Sequence, residues 1–79
     1  MFRKEYKEVL KRLFVDSNEY YFESETKSSA FIDKVLLIAE NSYSEEGYHH
    51  KYEEFEDFLY TSKVDGFASD VFNGEYGKY

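Results

Sequence analysis

His49 and His50, with Glu53 and Glu54 four residues on, form the one arrangement in the chain that invites a metal ion. On a helix each histidine would face a carboxylate one turn later. Adjacent positions, however, point about 100° apart around the axis, so the two imidazoles cannot ligate from one face. A zinc site takes three or four protein ligands. No metal and no cofactor is expected, only two exposed histidines weakly paired with helix carboxylates. Paired acids also suggest general acid–base work, but that needs a pocket and two environments that split the pKa values. A cluster on one exposed helix offers neither. The chain has no cysteine, no glycine-rich phosphate loop, no nucleophile elbow and no HExxH. No catalytic residue is expected and the residues do not point to an enzyme.

The chemistry that remains is binding. Between Glu45 and Tyr60 acidic and aromatic residues interleave. A helix over 48–62 puts Tyr48, Tyr52, Phe55 and Leu59 in a narrow arc, at i, i+4, i+7 and i+11, with Phe58 widening it. Glu53 and Asp57 line the far side, joined by Glu46 if the helix starts early. Glu54 and Tyr60 flank that stripe. Four carboxylates, Glu53, Glu54, Glu56 and Asp57, fall within about 6 Å of axis at roughly 1.5 Å per residue. Duplex DNA carries about one charge per 1.7 Å, so the linear charge densities are similar. Such a surface can occupy a groove whose lysines and arginines are arranged for anions. The aromatic neighbours add contact area that phosphates lack. The bland alternative is an ordinary solvated acidic helix.

Something must hold that helix, and Ser29–Asn41 is the organising element. Phe31, Ile32, Val35, Leu36, Ile38 and Ala39 fill one wide arc of a helix over 29–41. Leu37 falls among the polar positions, so a second element covers it or it stays exposed. Ser28 or Ser29 is the expected cap. Residues 2–14 read as a first helix, with Phe2, Tyr6, Val9, Leu10 and Leu13 on one face and Lys4, Lys7 and Lys11 opposite. The charged start lacks an apolar run and reads as this helix rather than a signal peptide. Three aromatics in a row in Glu19–Thr26 favour a strand. Its partner would come from 63–76, where Asp65-Gly66 and Asn73-Gly74 read as turns. The expected fold is therefore α+β, helix-dominated, with helices 2–14, 29–41 and 48–62 and a short strand or small sheet from 19–26 and part of 63–76, in one domain over 1–79.

Composition bounds the partners. The net charge is −7, and all of it lies in the second half. Residues 1–39 carry seven basic and seven acidic side chains, and residues 40–79 carry three and ten. That half repels nucleic acid and anionic membrane and attracts basic surfaces. Aromatic residues make up 22% of the chain, nine of them tyrosines, a residue favoured at binding surfaces. No run of about 20 apolar residues is present, so no membrane span is expected. The absence of cysteine fits a reducing, cytoplasmic setting.

The order NEYYFES (18–24), SAFIDKVLLIAEN (29–41) and KYEEFEDF (51–58) resembles that of a family of small phage anti-CRISPR proteins that inhibit Cas9. The likeness covers about residues 18–60. It implies a three-stranded sheet with helices, and inhibition by acidic side chains that imitate DNA at the PAM-reading site. The acids of 52–57 would then be the mimic. The family places two strands before its NEY-like strand, where this chain has only Asp16–Asn18. In general character the chain is also similar to other acidic phage proteins that disable nucleoid proteins or DNA-repair enzymes.

The functional expectation is a non-catalytic phage-type inhibitor in a bacterial host's cytoplasm. It would bind a basic nucleic-acid-binding protein, and no nucleic acid directly, through Glu46, Glu53, Glu54, Glu56 and Asp57, with Tyr48, Tyr52 and Tyr60 at the rim. The alternative is an adaptor or host-takeover protein using an aromatic surface on a factor that does not bind DNA. A homodimer with Leu37 and tyrosines at its interface is a third reading.

Overall fold

The computed structural model of the chain describes residues 3–45 and 52–74. Four α-helices run in order: α1 (Arg3–Lys11), α2 (Glu25–Glu45), α3 (Tyr52–Leu59) and α4 (Ser62–Phe72). A π-helical turn, Arg12–Asp16, continues α1. Among the described residues there is no strand, so the expected sheet, including the one implied by the anti-CRISPR resemblance, is corrected to an all-helical arrangement. None of the described helices is long and apolar enough to cross a membrane.

The helix α2 is the centre, packing against α1, α3 and α4. It is longer than its apolar pattern suggested. Ser24, not Ser28 or Ser29, caps it: the Lys27 N–H donates to Ser24 Oγ at 3.3 Å. Past Asn41 the helix continues because Tyr43 extends the buried face, 5% exposed and packed on Phe55 and Phe58 with ring centroids 5.2 and 5.1 Å away. Val35, Leu36 and Ala39 are fully buried. Leu37 remains exposed, as the pattern allowed.

The start of α1 lies against the later part of α2, so the two run antiparallel: Arg3 pairs with Glu40 at 3.2 Å and Lys7 with Asp33 at 2.9 Å. Lys7 sits at the seam, while Lys4 and Lys11 are exposed. The wide turn after Lys11 buries Phe14 and leaves Leu13 half-buried. Beyond it, Asn18 adopts a left-handed φ of 65° and donates its N–H to Val15 O. This reversal suits asparagine, which tolerates that region better than most residues.

The two expected strands fail for different reasons. In 19–26 the rings find helices instead of a strand partner. Tyr20 meets Phe14, Phe31 and Phe72, and Phe22 meets Phe31 and Phe72. From Glu25 onward the segment is already α2. In 63–76, Val64, Phe67, Ala68 and Val71 recur at i, i+3, i+4 and i+7, which is the helical period. The first three are buried in α4. Gly66 sits inside that helix, where it costs roughly 1 kcal/mol relative to alanine without ending it. The Asp65-Gly66 turn is corrected accordingly. The turn at Asn73-Gly74 does end α4, with Gly74 at φ 77°.

Candidate protein-binding surface

The helix α3 is eight residues, about 12 Å at ~1.5 Å per residue, and too short to be stable alone. Its position comes from Phe55 and Leu59, 0% and 1% exposed. Phe55 enters an aromatic cluster, its ring centroid 4.6 Å from Tyr6 in an edge-on approach. Phe58 is half-buried beside it. With these three turned inward, Glu54 and Asp57 are exposed and Glu56 is half-buried. None of the three makes an ion pair among the described residues.

Tyr60 follows at once and is 56% exposed. The helix ends there by tightening: the Tyr60 N–H donates to Asp57 O and the Thr61 N–H and hydroxyl both donate to Phe58 O. Tyr60 also lines a recess of about 310 Å³ between the turn after α1 and the start of α4, together with Leu13, Phe14, Glu19 and Asp65. Glu19 and Asp65 therefore put two carboxylates in the recess that Tyr60 lines. In the sequence Glu19 reads as part of a strand and lies more than forty residues from Tyr60, so its approach has no local signal.

Of the expected site residues, Glu54, Glu56, Asp57 and Tyr60 lie together on and just after α3. Tyr52 and Glu53 belong to the first turn of α3, but their side chains lie outside the described residues. Glu46, Tyr48, His49 and His50 also lie outside them, as does the part of the expected 48–62 helix before Tyr52. The end of that helix is corrected from 62 to Leu59, with Ser62 opening α4.

Tyr20 sits beside this surface. Burial, and then the nearby Glu19 carboxylate, push its phenol above the ordinary tyrosine range. A side-chain hydrogen bond with Ser69 pulls the other way, and Asp65 adds a smaller upward push. A larger groove, about 520 Å³, lies between α1 and α2, with Lys4, Lys7 and Lys11 balanced by Glu8, Glu25 and Asp33. Its mixed charge gives it no preference for either sign of ligand.

Comparison of the chain with protein-family models, with curated proteins and with solved structures finds no match.

Proposed function

We propose that this chain is a non-catalytic inhibitor that binds a basic nucleic-acid-binding protein by presenting carboxylates in place of phosphates. The observation that carries this reading is the division of α3. Phe55 and Leu59 are buried, while Glu54 and Asp57 face outward with no ion-pair partner among the described residues. Carboxylates without internal partners remain available to a partner's lysines and arginines. Because they are exposed, they set encounter rate and salt dependence more than residence time. Glu53 belongs to the same helix and is taken as a fourth member of the group. The resemblance of 18–60 to phage anti-CRISPR proteins, whose implied sheet is absent among the described residues, adds no support, and a bacterial cytoplasm is the setting of this proposal.

Changing Glu53, Glu54, Glu56 and Asp57 together to glutamine or asparagine tests this. At about 0.5 kcal/mol per exposed charge, binding at low salt weakens by ten- to thirtyfold. Wild-type binding falls steeply as salt rises. Unweakened binding by the neutral variant would sink the proposal. A second reading draws on Tyr21 and Phe72, 79% and 45% exposed: an adaptor that binds a host factor without nucleic-acid affinity through exposed rings. Such an interface barely responds to salt.

A further inference from the structure

Two chain reversals build the recess that Tyr60 lines. On one side the π-helical turn Arg12–Asp16 brings Leu13 and Phe14 into its wall. The chain then doubles back. The Asn18 N–H donates to Val15 O at 3.0 Å and the Tyr20 N–H to Phe14 O at 2.9 Å. Glu19 lies between those two donors, so the backbone that carries it is fixed at the recess. On the other side α3 ends and α4 begins. Leu59 and Tyr60 come from the first, and Asp65 from the first turn of the second, where its N–H donates to Thr61 O at 3.3 Å.

The lining has two chemical parts. Leu13, Phe14, Leu59 and the Tyr60 ring make it apolar, and Glu19 and Asp65 add two carboxylates. Both acids are exposed and make no ion pair among the described residues. No basic residue lines the recess among the described residues. The two carboxylates act on the same neighbourhood, since each pushes the Tyr20 phenol upward. The N-terminal end of α4 sets only about half a positive charge against them, so the recess stays net negative. Its volume of about 310 Å³ is at the small end of the roughly 300–1,000 Å³ of ligand pockets, which suits one long side chain.

We propose that this recess receives a single arginine side chain of the basic protein partner. Charge complementarity selects a cation. The apolar lining and the tyrosine select guanidinium over ammonium, because a guanidinium is more weakly hydrated and stacks on aromatic rings. Its five donors also serve more than one carboxylate. The inference rests on the reading that the partner is basic, and it adds a contact separate from Glu53, Glu54, Glu56 and Asp57.

The test titrates the full chain, at low salt, with acetyl-triarginine amide and separately with acetyl-trilysine amide, followed by amide chemical shifts. The expected result is shifts at residues 13–19 and 59–65, with triarginine bound about two- to fivefold more tightly than trilysine. Glu19→Gln with Asp65→Asn, both conservative changes at exposed side chains, weakens triarginine at those residues by about fivefold, the scale of two exposed ion pairs. Tyr60→Leu keeps both carboxylates and brings the two peptides level. Shifts confined to 54–57, equal binding of the two peptides at the recess, or no weakening in the double variant would each overturn the recess and leave the acidic α3 reading intact. No shift with either peptide would overturn it as well. The α3 reading fails separately, through the neutral variant of Glu53, Glu54, Glu56 and Asp57, which changes no residue of the recess.

Discussion

Replacing Phe55 by alanine perturbs the support of the proposed site without touching any of its carboxylates. Phe55 is 0% exposed and its ring meets Tyr6 at 4.6 Å and Tyr43 at 5.2 Å, both edge-on. Truncating a buried phenylalanine costs about 3–5 kcal/mol, including the cavity left behind. A domain of 79 residues has about 4–12 kcal/mol of total stability at ~0.05–0.15 kcal/mol per residue. Phe55→Ala therefore removes between a quarter and all of it. At about 4–8 °C per kcal/mol, the unfolding midpoint falls by at least about 12 °C. Circular dichroism against temperature reads this directly, with Tyr60→Ala as the control. Tyr60 is largely exposed and its truncation costs no more than about 0.5 kcal/mol. Because α3 is too short to persist undocked, Phe55→Ala also weakens partner binding. A fall of less than about 5 °C would refute the reasoning, since Phe55 would then not be the anchor that orients Glu54 and Asp57.

Gly66 and Gly74 separate helix from turn. Gly66 lies in α4 with open space where a Cβ would project, so Gly66→Ala stabilises the fold by about 0.4–1 kcal/mol in urea unfolding, whereas a turn there would make it neutral or harmful. Gly74→Ala meets no atom but must hold φ 77°, and destabilises by about 1 kcal/mol in the same assay. Tyr20 keeps its proton above the ordinary tyrosine range. The native state thus holds that proton more tightly than the unfolded chain. The stability this gives is complete below the unfolded tyrosine pKa, about 10, and is lost as pH rises through the higher native value. Tyr20→Phe accordingly removes one phenolate from the late part of an alkaline absorbance titration.

The sequence was most informative where one residue pattern had one physical reading. The buried arc of α2 from Phe31 to Ala39, the inward Phe55 and Leu59, and the outward Glu54 and Asp57 all follow from helical periodicity. Local propensity misled where tertiary contacts decided. Tyr20-Tyr21-Phe22 has strand-like composition, yet its two inward rings are satisfied by Phe14, Phe31 and Phe72. Asp65-Gly66 reads as a turn in a short window, but Val64, Phe67 and Ala68 bury one face of a helix through it. Asn41-Ser42 likewise looks like a stop until Tyr43 is seen packed on Phe55 and Phe58. The meeting of Glu19, Tyr60 and Asp65 joins positions more than forty residues apart in the chain, and no local pattern encodes it.

The central claim is that the acids of α3 occupy a surface built for nucleic acid. The direct measurement immobilises the wild-type chain and its Glu53→Gln, Glu54→Gln, Glu56→Gln, Asp57→Asn variant, captures partners from bacterial lysate, and elutes with duplex DNA. The account predicts a basic nucleic-acid-binding protein that is retained by the wild type, displaced by DNA or moderate salt, and lost from the variant. A partner held equally by both chains, and left in place by DNA, would contradict it.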